Sequence, residues 1–165
     1  MAEKRDPINP TDDNARALAR DVLAGADHAA LGVLDPATGA PVVSRIALAL
    51  DEAGQPVTLI SDLAAHARAL AADPRAGLLV GEPGPKGDPL THPRMSVAVT
   101  ATQVERGSPD HAALRALWLA RHPKAKLYVD FGDFRFVRLH PTGAALNGGF
   151  GRAYRLAPED LAPAP

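Results

Sequence analysis

A chain of 165 residues, of which 46% are hydrophobic and 22% charged, can bury one ordinary hydrophobic core, so we expect a single domain. The formal net charge is -1 and the basic residues are dispersed, which excludes the electrostatic footprint of a nucleic-acid-binding protein. There is no cysteine, so disulfides, thiolate catalysis and cysteine metal sites are excluded. No apolar stretch could span a bilayer and the polar N-terminus is unlike a signal sequence, so we expect a cytoplasmic protein with no membrane partner.

The predicted elements begin with an amphipathic helix over residues 11–25, which carries Leu18 and Val22 on one face and ends at Gly25. Segments with strand character follow, separated by glycine and proline turn signals. They cover residues 29–34, 42–50, 56–61, 76–80, 94–104 and 133–139.

Two further helices interrupt these strands, over residues 64–72 and 110–121. The second has Ser108 as its cap and Pro109 as its first helical residue, and we expect Trp118 on its apolar stripe to be a core residue. Residues 82–93 are predicted to be a loop. Many short strands with few helices indicate a mainly β protein with α elements (α+β), an antiparallel barrel with attached helices. The domain is predicted to cover residues 1–156, and residues 157–165 to be a tail without function.

A candidate anion site lies around the third predicted strand. Residues 46–50 and 57–61 alternate in character across a turn and predict a hairpin. A short helix then follows, with Ser61 or Asp62 where an N-cap belongs and with His66 and Arg68 in its first turns. Together with Arg45 on the neighbouring strand, the free amides of this helix would suit a phosphate.

Each of these residues also has an ordinary structural interpretation. Ser61 or Asp62 can serve only as a cap, and His66 and Arg68 can be solvated helix residues. Asp62 would repel a phosphate unless it faces backbone amides or another cation.

Seven short motifs occur in a specific order along most of the chain. They are Pro41-x-x-Ser44-Arg45, Ile60-Ser61-Asp62-Leu63-Ala64-x-His66-x-Arg68, Asp73-Pro74-Arg75, Asp88-Pro89-Leu90-Thr91-His92-Pro93-Arg94, Arg121-His122-Pro123, Asp133-Phe134 and Gly148-Gly149-Phe150-Gly151-Arg152-Ala153. This order resembles the FMN-binding split-barrel superfamily related to pyridoxamine 5'-phosphate oxidase, and within it the branch of HugZ-type heme-utilisation proteins. The resemblance implies a six-stranded antiparallel Greek-key split barrel that pairs as a homodimer, with a flavin mononucleotide (FMN) site at each end of the interface.

The resemblance also implies roles for individual residues. Arg45 would hold the FMN phosphate, while Ile46 and Ala47 would lie near the isoalloxazine ring through their backbone amides. The glycine run of residues 148–151 would be the closing turn that lets the backbone approach a ligand or the partner subunit. The FMN-binding residues implied in this way are Ser44, Arg45, Ile46, Ala47, Ser61, Asp62, His66 and Arg68.

The function implied by the resemblance is that of an FMN-dependent oxidoreductase acting on a small substrate that the sequence does not identify. No catalytic side chain is expected, because the flavin supplies the hydride or electron transfer and the protein orients it. No metal site is expected either, since the six histidines do not occur at a chelating spacing.

Two alternatives remain open at this point. The first is a heme-binding or heme-degrading protein of the HugZ type. HugZ-type proteins take their iron-binding histidine from a C-terminal extension, and no histidine follows position 140 here, so heme binding would need another axial ligand. The candidate axial ligands are His28, His66, His92, His111, His122, His140 and Tyr154.

The second alternative is a non-catalytic binding module, which is favoured by Ala67, Ala69 and Gly77 at positions where relatives carry polar residues.

Overall fold

Nine strands and three α-helices occupy residues 7–164, which are the residues described in the computed structural model. The strands are β1 (Ile8–Asn9), β2 (His28–Leu34), β3 (Pro41–Ala47), β4 (Ala49–Leu50), β5 (Pro56–Ser61), β6 (Arg75–Val80), β7 (Arg94–Gln103), β8 (Phe134–Asn147) and β9 (Ala153–Leu156). The helices are α1 (Asp13–Gly25), α2 (Ala65–Ala72) and α3 (Pro109–Arg121). The fold is therefore α+β, as predicted, although the described residues contain more strands than the six that the resemblance implied.

All strands join one sheet, and every pairing except the parallel pair β1 and β9 is antiparallel. Along the sheet the order is β1, β9, β8, β7, β6, β2, β3, while β5 pairs with β8 and with β4. Strands β3 and β5 then meet, because the Thr58 hydroxyl on β5 donates a 2.8 Å hydrogen bond to the Ala47 carbonyl at the end of β3. The sheet thus curls into a barrel.

The barrel has an apolar interior and a second apolar cluster on its flank. Residues such as Leu31, Val97 and Leu139 fill the interior. The second cluster lies between α3 and the outer side of β5 and β8, and its centre is Trp118, which is 1% exposed and packs edge-to-face on Phe136. The prediction that Trp118 is a core residue is confirmed.

The helices α1 and α3 match their predictions closely. Asp12 caps α1 by accepting a hydrogen bond from the Ala15 amide, and Ser108 caps α3 by accepting one from the His111 amide. These signals are local in sequence, which is why periodicity and capping preferences found them.

The predicted strand over residues 42–50 is interrupted. Pro41–Ala47 pairs along its length with β2, and the Leu48 amide turns away to bond the Asp27 carbonyl. Only the two residues of β4 pair with β5. The predicted hairpin therefore forms only at its tip, and this part of the prediction is wrong.

Strand β8 is twice as long as predicted, because it continues past Leu139 to Asn147. The added part of β8 contains a bulge: Ala98 pairs with Gly143 and Val99 with Pro141, so one residue of β8 is unpaired. A bulge tolerates proline, which cannot donate to the ladder.

Residues 158–161 form a short 3-10 helix rather than an extended tail. Leu161 is buried, and Asp160 accepts a 2.7 Å hydrogen bond from Arg16 of α1. The beginning of the predicted domain, residues 1–6, and residue 165 lie outside the described residues. None of the helices within residues 7–164 has the length and apolar character needed to cross a membrane.

Candidate functional site

Arg45 lies on the outer face of β3. Its side chain is exposed and makes no hydrogen bond to any described residue. Its neighbour Ile46 points inward and is 3% exposed, as the alternation of a strand requires. Ser44 shares the inward side, and Ala47 uses its carbonyl to hold Thr58. Arg45 is therefore the one member of this segment that presents a charge to a ligand.

Arg45 belongs to an outer face of low relief that crosses several strands. Cross-strand pairing places it in one row with Ala30 and Leu79, and places Val43 in the next row with Gly32 and Gly77. Val43 is 69% exposed and Leu79 is 47% exposed. We call this surface the outer face. It combines exposed apolar side chains, two glycines without side chains and one unpaired cation.

Ser61 does not cap α2. Its hydroxyl donates a 2.5 Å hydrogen bond to Asp133 Oδ2 and accepts one from the Leu63 amide. The residue in the N-cap position is Ala64, which has no side-chain cap. The prediction that Ser61 or Asp62 caps this helix is wrong, because both side chains have found partners on β8 or just before it.

Asp62 forms an ion pair with Arg135. Its two carboxylate oxygens lie 2.6 and 2.9 Å from Arg135 Nε. The sequence argument required Asp62 to face amides or a cation if an anion binds nearby, and a cation is what it faces. Sequence reasoning missed Arg135 and Asp133 as partners, although the motif Asp133-Phe134 pointed to this place in the chain.

Helix α2 has two flanks of different character. Ala67 and Leu70 are buried towards the barrel interior, whereas Arg68 is exposed and reaches back to donate a 2.9 Å hydrogen bond to the Leu63 carbonyl. His66 is half-buried and makes no hydrogen bond to a described residue. Burial lowers the pKa of the His66 imidazole, so at neutral pH it is an uncharged ring with a free nitrogen.

The other histidines can be sorted by their contacts. His28 lies between Asp27 and Glu82, His92 is bonded to the Gly84 amide and the Lys86 carbonyl, and His122 is bonded to the Leu48 carbonyl. As in His66, the imidazole rings of two histidines make no hydrogen bond to a described residue: His111, whose ring packs on Phe136, and His140 on β8. No cluster of three or more potential metal ligands occurs in the part of the chain that the structure describes.

The glycine run of residues 148–151 forms the tight turn between β8 and β9. The Gly148 amide bonds the Arg152 carbonyl at 2.7 Å. Gly149 has a φ of 116°, and a Cβ there would lie 3.1 Å from the Thr91 carbonyl oxygen, so this position requires glycine. Phe150 at the tip is 98% exposed. That this turn approaches a ligand or a second subunit stays a prediction.

The chain matches one family model over most of its length and resembles a curated plant protein. A family model described as "CREG, beta-barrel" matches residues 10–161. The chain is 34% identical over 116 residues to the chloroplastic non-canonical heme oxygenase HOZ of Arabidopsis thaliana, a match that covers 70% of this chain and 34% of that protein. The chain thus spans about a third of the length of this curated relative.

Two solved structures have similar folds. A heme binding protein from Mycobacterium smegmatis superposes with a TM-score of 0.81 at 32% identity, covering 93% of this chain and 61% of that one. The protein Atu2129 of Agrobacterium tumefaciens, of unknown function, superposes with a TM-score of 0.80 at 34% identity, covering 97% of this chain and 66% of that one.

Proposed function

We propose that this chain, which belongs to the CREG beta-barrel family of the FMN-binding split-barrel superfamily, is a heme-binding protein in which His66 binds the iron. The observation that carries the proposal is His66, a half-buried and uncharged imidazole without a hydrogen-bond partner among the described residues. The names of two similar proteins, each more than 30% identical to this chain, refer to heme.

The residues present fit such a ligand. A neutral imidazole nitrogen is a usual axial ligand of heme iron. The lowered pKa of His66 keeps its ring uncharged, so a ring nitrogen is available to bind iron. Arg45 is unpaired, and Arg68 uses only one terminal nitrogen, on the Leu63 carbonyl. Both guanidinium groups can therefore bind carboxylates such as heme propionates.

Bound heme would supply an iron centre for redox chemistry. The protein would orient it and exclude water from one side.

A second candidate, an FMN-dependent oxidoreductase acting on a small substrate, is favoured by the free guanidinium of Arg45, which suits a phosphate as well as a propionate. The predicted phosphate site is less complete than the sequence suggested, because the Ser61 hydroxyl is bonded to Asp133 and the Asp62 carboxylate to Arg135. FMN would therefore depend on Arg45 and Arg68, and its flavin would supply the electron transfer without a side-chain catalyst.

Absorbance titrations with hemin and with FMN test these proposals. We expect hemin to give a Soret band typical of histidine ligation. His66→Ala should remove this spectrum, because it removes the nitrogen that binds the iron. His111→Ala, at another histidine whose ring has no hydrogen-bond partner among the described residues, should leave it unchanged. Arg45→Ala should weaken hemin binding about tenfold, the effect of losing one hydrogen bond to a charged group.

The alternative outcomes are distinct. An unchanged Soret band in His66→Ala would overturn the axial role of this residue. Uptake of FMN with no response to hemin would favour the oxidoreductase, and in that case Arg45→Ala should abolish flavin uptake. No response to either ligand would favour the non-catalytic binding module.

A further inference from the structure

A cleft of about 480 Å³ opens between α2 and the ends of β5, β7 and β8. Its apolar walls include Ile60, Leu70 and Val137, which are all less than 10% exposed. Arg135 and Gln103 form part of its polar edge. Ligand pockets commonly have volumes of about 300–1,000 Å³, so this cleft is large enough for a small organic molecule.

The cleft is separate from the outer face that carries Arg45. Ile60 pairs with Arg135, and Val137 pairs with Gln103, and directly paired residues lie on the same side of a sheet. That side is the barrel interior, since Ile60 and Val137 belong to the interior cluster. Arg45, in contrast, projects from the outside of β3.

Helix α2 forms one wall of the cleft through Ala67, Leu70 and Ala71. His66 is not among the residues that line the cleft.

Two polar groups at the cleft have unused hydrogen-bonding capacity. Arg135 pairs with Asp62 only through Nε, so its two terminal nitrogens have no acceptor among the described residues. The side-chain amide of Gln103 likewise has no partner in residues 7–164. These donors lie next to apolar walls, an arrangement typical of small-molecule sites.

We propose that this cleft is a second small-molecule site, which takes a compact organic anion with an apolar body and a single negative charge. The apolar body would contact Ile60, Leu70 and Val137, and the acidic group would bind the terminal nitrogens of Arg135. The limit of one charge follows from Asp62, because this carboxylate already neutralises the guanidinium and repels a dianion. The site is therefore unsuited to the phosphate of FMN, and the proposal does not depend on the function proposed above.

The test uses 1-naphthoate as the probe and its neutral analogue 1-naphthalenemethanol as the comparison, with binding followed by chemical-shift changes in amide NMR spectra of the whole chain. We expect naphthoate to shift the amides of residues 101–103 and 135–137 and to bind at least about tenfold more tightly than the alcohol, since a hydrogen bond to a charged group contributes on that scale. Hemin and FMN should not displace it.

Two pairs of variants locate the site. Ala71→Trp should fill the cleft and abolish binding, whereas Ala72→Trp, at an exposed neighbour that does not line the cleft, should not. Arg135→Met should reduce naphthoate binding about tenfold and leave the alcohol unaffected. Arg115→Met, which breaks the exposed pair with Asp130 elsewhere, should change neither.

The proposal is overturned if naphthoate shifts none of these amides, if it binds Ala71→Trp as well as the unmodified chain, or if hemin or FMN displaces it. Each variant also gives a reference spectrum without ligand, so a variant that fails to fold is recognised before the titration. Gln103→Leu, at an exposed position on the cleft edge, replaces any cleft variant that fails to fold. It should weaken naphthoate binding, and unchanged binding would count against the proposal.

Discussion

His28 lies between two carboxylates, with Nδ1 2.5 Å from Asp27 Oδ1 and Nε2 3.1 Å from Glu82 Oε1. These hydrogen bonds, that of Asp27 first, raise the pKa of His28 above its ordinary value of 6.5. The stabilisation is therefore fully present below about pH 6.5 and is lost as the pH rises through the raised pKa. We expect Glu82→Gln to lower the pKa of His28 in an NMR titration.

Glu52→Gln is the matched control, because Glu52 is an exposed carboxylate that makes no contact with His28. It should leave the titration of His28 unchanged. A His28 pKa at or below 6.5 in the unmodified chain would contradict the role of the two carboxylates. Since both of its nitrogens are bonded, His28 is also a poorer candidate for an iron ligand than His66.

Helix α3 depends on its N-cap for a defined start. The Ser108 hydroxyl accepts a 3.1 Å hydrogen bond from the His111 amide and donates one to the Glu105 carbonyl. We expect Ser108→Ala to lower the free energy of unfolding by about 1 kcal/mol, measured by urea denaturation. Ser108→Asp, which keeps a capping oxygen, should retain most of the stability. Equal losses in both variants would show that the cap is not the cause.

At the scale of the whole molecule, the outer face is the surface that we propose for pairing with a second copy of this chain, as the family resemblance implies. Val43 is 69% exposed there, and exposed apolar patches commonly mark interaction sites. We expect light scattering to give twice the 17.2 kDa of one chain. Val43→Glu should give the monomer mass, because it would bury an unpaired charge in the interface.

Leu127→Glu serves as the control for that measurement, since Leu127 is 71% exposed but lies in the segment after α3 and not on the three strands of the outer face. This variant should remain dimeric. A monomeric unmodified chain would contradict the dimer proposal while leaving the test of His66 intact, because hemin ligation by that residue is measured separately.

The sequence alone was sufficient for features whose cause is local. Periodicity and capping residues gave α1 and α3 close to their observed bounds, and the apolar stripe of α3 identified Trp118 as core. The order of short motifs pointed to the family that the comparisons then established. Strand β8 was predicted to end at Leu139, and only its pairing with β7 shows that it continues through a bulge at Pro141.

The candidate site could be located from the sequence but not assembled from it. Ser61 and Asp62 were recognised, yet their partners Asp133 and Arg135 are 72 and 73 residues away, and no local pattern encodes a contact across that distance. The barrel's register brings these pairs together and decides which side chains face outward. Arg45 and His66 remain available to a ligand because tertiary packing gave them no partner in the described chain. Short-range preferences set the elements, whereas long-range pairing sets which charges remain free.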